Sequence, residues 1–411
     1  MASIRQRGDT FQITVSNGRD ANGKQIREMA TFTPDASMTK AQKKKALEKF
    51  VVEFEAQVKE GRLLSGEKLT LKRFAEVWLN DYAEKQYEAT TLEYTRGILD
   101  KIILPAIGHL KLSEIQPLHL SRLYDKLVEE GYKPSSIKRY HNIISSMLSN
   151  AVYWQIIYDN PCKRVKPPKE ERRKDVKHFT LEETQAFLEY IEEPYTVKHG
   201  GRGEKAKMLT DIRKEPLQLK VFYNLAVYGG FRRGEMLALK WEDINFEQNT
   251  VEVNKSLAKT KTDGVIIKAT KNKTSDRIVT LPRACMKMLK QLQIEQLERK
   301  LSMGSAWQGE NNIFTQDNGS YMDIATPSQS FKRIINRYNS THEDKLPIIS
   351  VHGLRHTSAT LLIAQKNDMK TVSSRLGHAD VSTTMDIYAH ALKKRDEEAA
   401  ASIEILLQRK A

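Results

Sequence analysis

Fifteen residues near the middle of the chain, Lys163 to Lys177, carry eight basic and three acidic side chains and two prolines. Such a stretch cannot be folded into a core, because desolvating that many charges costs far more than packing returns and the prolines remove backbone donors. It therefore runs extended, and what lies on either side folds separately. With 411 residues in the chain, each side is long enough to bury a core of its own.

The amino-terminal side divides again by periodicity. Phe11, Ile13 and Val15 point one way with Gln12 and Thr14 between them, the period of a half-buried strand. Asn17-Gly18 and Asn22-Gly23 are turn signals, and Ile26 to Phe32 resumes the extended pattern. After Pro34 the spacing becomes helical, with Leu47, Phe50, Val51, Phe54 and Val58 on one stripe. Residues 1–62 thus read as a three-stranded sheet covered by one helix. Arg5, Arg7, Arg19, Lys24 and Arg27 stud that sheet; they suit a DNA-reading β-ribbon, and a solvated charged face explains them nearly as well.

Gly61 to Gly66 interrupts, and residues 67–165 read as helix after helix. Leu71, Phe74, Ala75, Trp78, Leu79 and Tyr82 form one apolar stripe, and Leu120, Leu123, Leu127 and Val128 another. Pro105, Gly108, Pro117, Gly131 and Pro134 mark the boundaries. In Lys133-Pro-Ser-Ser-Ile-Lys-Arg-Tyr140 serine caps precede a basic helical face, where Lys138 or Arg139 can meet phosphates or simply water.

Residues 166–178 form the linker, and 179–411 a third, mixed region opened by the capping-box pattern Thr180-Leu-Glu-Glu183. Thr250 to Asn254, Gly264 to Ala269 and Arg277 to Leu281 read as strands, which places Lys271 to Asp276 at a hairpin tip. The Lys- and Gly-rich stretch Tyr195 to Glu215 has no evident structural reason.

Sixty-seven Lys and Arg against fifty-two Asp and Glu leave a net charge of +15, which suits a polyanionic partner such as nucleic acid or an anionic membrane surface. No stretch approaches the roughly twenty apolar residues of a membrane span, and the first residues lack the apolar core of a secretory signal. Cys162 and Cys285 are far apart without a CxxC partner, so neither zinc site nor disulfide framework is indicated. The expectation is a reduced, cytoplasmic protein without a membrane partner.

Near the carboxyl end stand His352-Gly-Leu-Arg355, Leu376-Gly-His378 and Tyr388 within Asp386-Ile-Tyr-Ala-His390; far upstream stands Arg232 in Gly229-Gly-Phe-Arg-Arg-Gly-Glu235. Guanidinium groups grip phosphate oxygens bidentately and stay charged, so these side chains can hold and attack a phosphodiester without a metal or other cofactor. Glu235 and Arg232, like His352 and Arg355, are three residues apart and meet on one helical face.

The order Arg, Lys, His-x-x-Arg, His, Tyr resembles the tyrosine recombinase (phage integrase) family. That resemblance selects Arg232 over Arg233 as one phosphate clamp and Arg355 as the other, and makes His352 and His378 phosphate donors. Glu235 then orients Arg232, and Lys271 is the general acid, with Lys273 as its rival. Tyr388 is the nucleophile that forms a 3′-phosphotyrosine; a phenol with a pKa near 10 needs nearby cations to ionise at neutral pH. His356 and His390 are left as packing or supporting residues. The family's pattern departs at two places: Gly229 stands where many relatives have Thr, and Phe231 replaces Leu.

The resemblance implies an α+β multidomain protein: an arm-binding sheet domain, a helical core-binding bundle that closes on duplex DNA with the third region, and a mostly α catalytic domain with a small β-sheet. It also implies double-stranded DNA attachment sites, a synaptic homotetramer, and an excisionase and a host DNA-bending protein as accessories; the tail around Ile403, Leu406 and Leu407 either covers its own domain or, as the resemblance implies, docks on a neighbouring protomer and ties that tetramer together. A type IB topoisomerase and a catalytically silent DNA-binding regulator are the alternatives; site-independent relaxation marks the first, and absence of a covalent DNA adduct the second.

Overall fold

The structure, a computed structural model, describes residues 2–7, 10–19, 25–35, 38–59, 69–169, 177–199, 209–269, 276–377 and Ile403. Backbone contacts divide the chain into two compact units, Met1–Arg172 and Arg173–Ala411.

The first unit opens with an antiparallel sheet in the order β1 (Ser3–Arg7), β2 (Thr10–Arg19), β3 (Gln25–Phe32), followed by α1 (Lys40–Lys59). Ile13 and Val15 of β2 are buried against Phe54 and Val58 of α1, as their alternation requires. Arg5 and Arg27 pair across the strands with Gln12 and Ser16, so they lie on the opposite face from Ile13, and both are exposed. Asn17-Gly18 is not a turn. It lies inside β2, where the register with β3 shifts between Ser16 and Arg19: the same tolerance of unusual backbone that suits Asn-Gly to a turn also suits it to a bulge.

A helical bundle follows: α2 (Leu71–Trp78), α3 (Glu84–Gln86), α4 (Ala89–Ile98), α5 (Leu104–Ile107), α6 (Pro117–Glu129) and α7 (Pro134–Tyr153). Leu71, Phe74, Ala75, Trp78, Leu120, Leu123 and Leu127 meet in its core. Val128, expected on the same stripe, is exposed, because the buried arc of α6 already closes on Leu120, Leu123, Tyr124 and Leu127. Serine does not cap α7; Pro134 occupies its first position after an extended Lys133, where a missing amide hydrogen costs nothing. Lys138 and Arg139 stand exposed on that helix.

In the second unit α8 (Leu181–Tyr190) starts at Thr180, whose hydroxyl accepts from the Glu183 amide at 3.2 Å while the Glu183 carboxylate accepts from the Thr180 amide at 2.7 Å. The stretch without an evident reason contains a hairpin of β4 (Tyr195–His199) and β5 (Leu209–Arg213). The Arg337 guanidinium lies 3.6 Å over the Tyr195 ring and donates to Glu215 at 2.8 Å.

α9 (Leu217–Gly229), α10 (Arg233–Ala238), α11 (Arg283–Met303), α12 (Thr326–Thr341) and α13 (Val351–Ala364) enclose the main core, and α14 (Met369–Leu376) packs on α13. The strands pair otherwise than expected. β7 (Thr250–Val253) lies between β6 (Ile244–Asn245) and β10 (Arg277–Thr280), whereas β8 (Lys255–Thr260) and β9 (Gly264–Ala269) make a hairpin of their own. Residues 270–276 therefore connect two sheets rather than cap one hairpin. The short, polar β8 carries too weak an alternation to be found by pattern, and it takes the partner assigned to β10.

Candidate active site

Helix α9 is buried along most of its length and ends at Gly229. Gly230 then adopts the left-handed conformation, φ 63°, and a Cβ there would stand 2.5 Å from Leu376 Cδ2 and 3.2 Å from Ser358 Oγ. Only glycine meets both demands. The reversal turns Phe231 inward, 2% exposed, and sets Arg232 at the N-cap of α10.

Arg232 is held on two sides. Its Nη1 donates to Glu235 Oε1 at 2.7 Å and its Nη2 to the Gly377 carbonyl at 2.9 Å, while its backbone amide donates to Glu235 Oε2 at 2.8 Å. The pair is not a surface contact, since the Glu235 side chain is 3% exposed against 38% for Arg232. Glu235 also receives Arg277 from β10, Nη2 to Oε2 at 2.8 Å and Nη1 to Oε1 at 3.3 Å. Burial pushes the Glu235 pKa up, but the hydrogen bonding and charge of Arg277, then the backbone and side-chain hydrogen bonds of Arg232, outweigh it, and the net shift is downward. The carboxylate is thus an anion between two guanidiniums.

Arg355 and His352 come from the first turns of α13, whose N-cap Ser350 accepts from the Gly353 amide. Arg355 is 2% exposed and its Nη1 donates to the Gly230 carbonyl at 2.8 Å, so the glycine turn that places one arginine also anchors the other. His352 keeps an exposed edge, and its ring meets His356 edge-on at 4.8 Å. Loss of water, then the charges of Arg355 and Arg232, lower the His352 pKa, with Glu235 opposing. The site therefore gathers two arginines and an imidazole from segments far apart in sequence, a set suited to a phosphate dianion or a phosphorane-like transition state. Among the described residues no group of three or more His, Cys, Asp or Glu is placed to hold a metal ion.

Residues 202–395 match the Phage integrase family, and residues 70–128 match its N-terminal SAM-like domain. The chain is 30% identical over 299 residues to the ICEBs1 integrase of Bacillus subtilis, covering 72% of this chain and 73% of that protein. It belongs to the phage integrase family of tyrosine recombinases. The recombinase is also 27% identical to a tyrosine recombinase XerC-like protein of Caldanaerobacter subterraneus subsp. tengcongensis, over 98% of both chains. Its fold resembles the Tn1549 transposon integrase in complex with a circular intermediate DNA, with a TM-score of 0.62 at 17% identity over 80% of this chain and 99% of the other. A lambda integrase dimer bound to a core site gives 0.54 at 18% identity over 93% and 94%. The mixed multidomain architecture read from the sequence is thereby borne out.

The structure of the recombinase brings Arg232, Glu235, His352 and Arg355 together. Lys271, its rival Lys273, His378 and Tyr388 lie outside the described residues, although Gly377, which accepts from Arg232, directly precedes His378. Arg7 and Arg19 stand in β1 and β2, and Lys24 lies outside the described residues. Sequence reasoning missed Arg277 and Arg375. Arg277 Nε donates to the Arg375 carbonyl at 2.7 Å, and Arg375 Nη2 reaches the carbonyls of Tyr228 and Thr280, each at 2.9 Å. No spacing rule links these positions; the only hint is a basic residue opening the strand that follows Lys271. Among the described residues no helix is long and apolar enough to cross a membrane.

Proposed function

We propose that this recombinase integrates and excises a mobile element, a prophage or a conjugative transposon, by exchanging strands between double-stranded DNA attachment sites. The observation that carries the reading is the pairing of Arg232 and Arg355 around one glycine turn, with His352 beside them. The likeness to the ICEBs1 integrase and, at 22% identity over 350 residues, to the transposase from transposon Tn916 of Enterococcus faecalis supports the mobile-element assignment.

In the reaction so read, Tyr388 Oη attacks the scissile phosphorus and the bond to the 5′ oxygen breaks. Arg232, Arg355, His352 and His378 hold the non-bridging oxygens as charge builds on them. Glu235 keeps Arg232 aimed. Lys271, or its rival Lys273, protonates the departing 5′ oxygen. One ester replaces another, so the 5′ hydroxyl of a second duplex reverses the step without ATP. Arg232 engages two of the five guanidinium N–H donors with Glu235 and Gly377, and in this reading the remaining donors serve the phosphate.

Arg5, Arg7, Arg19, Lys24 and Arg27 bind outlying arm sites in this reading, and Lys138 and Arg139 contact the core site. Four protomers form the synaptic complex, and an excisionase and a host DNA-bending protein set its direction. A core-site substrate nicked next to the crossover, built from the DNA flanking the encoding element, tests the chemistry. Wild type accumulates a 3′-linked covalent adduct on Tyr388 without divalent metal, and Tyr388→Phe accumulates none. An adduct on another residue, or a requirement for magnesium, refutes the scheme.

A further inference from the structure

We infer that Arg277 is a positioning residue for Arg232, acting through Glu235; the inference rests on the reading of Arg232 as a phosphate clamp. Arg232 cannot serve both the phosphate and Glu235 without cost unless something else balances the carboxylate. With its side chain 3% exposed, Glu235 has almost no access to water, and a DNA phosphate competing for the Arg232 guanidinium would leave a buried anion short of its counter-charge. Arg277 removes that conflict. From β10 it meets both carboxylate oxygens, at 2.8 and 3.3 Å, and its own side chain is 6% exposed.

Arg277 does not itself reach DNA in this arrangement. Its Nε is committed to the Arg375 carbonyl and its guanidinium carbon lies 5.8 Å from the Phe231 ring centroid. It therefore holds the holder. Because Arg375 and Gly377 close the same helix end, one arginine from β10 ties together the carboxylate that aims Arg232 and the chain segment whose Gly377 carbonyl takes the other Arg232 donor. A mispositioned guanidinium loses directed hydrogen bonds to the transition state while keeping its general attraction for DNA, so the defect falls on cleavage rather than binding.

The test compares wild type, Arg232→Ala and Arg277→Lys in single-turnover cleavage of the nicked core-site substrate. Each is also assayed on the same DNA with a methylphosphonate at the scissile position, which removes the negative oxygen the clamp neutralises. Lysine keeps the charge but cannot bond both Glu235 oxygens and the Arg375 carbonyl together. On ordinary DNA Arg277→Lys should cleave about 100-fold more slowly with binding within about threefold of wild type, and on methylphosphonate DNA its deficit should shrink below about tenfold, as for Arg232→Ala. Cleavage by Arg277→Lys near the wild-type rate, or an equal deficit on both substrates, overturns the inference. Should Arg277→Lys fail to bind DNA, Arg277→Gln, which keeps a donor toward Glu235, takes its place under the same criteria, and loss of binding by both marks a merely structural role. An Arg232→Ala deficit that is equal on both substrates sinks the clamp reading itself, and this inference with it.

Discussion

The two departures from the family pattern beside Arg232 compensate one another, and this can be measured. A Cβ built on Gly229 would stand 2.1 Å from Phe231 Cε2 and 2.6 Å from Cδ2 and Cζ. The Phe231 ring, 2% exposed and beneath the Arg277 guanidinium, therefore fills the space that a side chain at 229 would need. Gly229→Ala forces the ring aside at an overpacking cost of about 2 kcal/mol, which the helix preference for Ala hardly offsets because Gly229 is the last residue of α9. Phe231→Leu alone deletes Cε1, Cε2 and Cζ and leaves a small void, costing about 1 kcal/mol. In the double variant the Cε2 and Cζ atoms that stand 2.1 and 2.6 Å from the added methyl are absent, so most of the clash is relieved and Gly229→Ala should come close to neutral. Urea denaturation of the four proteins measures the coupling, expected at about 2 kcal/mol. Additivity within about 0.5 kcal/mol would refute the compensation.

Acid should loosen the site through His356. Burial, then the charges of His352, Arg355 and His178, lower its pKa from 6.5 to about 4, so between those values the unfolded chain binds the extra proton. Stability therefore falls as pH drops through that window, by at most about 3 kcal/mol; His356→Asn should flatten the dependence in denaturation midpoints measured from pH 7 to 4, and an unchanged slope would contradict the assignment. Arg337→Met removes the donors to Glu215 and to the Tyr190 hydroxyl and should destabilise the second unit by about 3 kcal/mol, because Glu215 is 7% exposed. Amide exchange should quicken in Tyr195–His199 and Leu209–Arg213 at the same time, whereas an unaltered melting curve would show that the guanidinium anchors nothing.

Local rules carried a large part of this fold. Ile13 and Val15 alternate because a strand has two faces, and both are buried; Thr180 and Glu183 close a capping box because they are three residues apart on a first turn. The grouping of Arg232 with Glu235, and of His352 with Arg355, was likewise legible from spacing and motif order. What failed were pairings settled by competition. Asn17-Gly18 fits a turn or a bulge locally, and β10 fits β9 by sequence order yet pairs with β7.

By itself the sequence determined the periodicities and the order of chemistry-bearing residues, since each depends on neighbours a few positions apart. Only the tertiary structure decided that Arg277 balances Glu235, that the Gly230 carbonyl holds Arg355, that the Gly377 carbonyl holds Arg232, and that the Phe231 ring fills the room left at Gly229. Those contacts join residues as many as 145 positions apart. Nothing in local spacing encodes them; they arise because a buried charge and a packed ring must find partners wherever the folded chain supplies them.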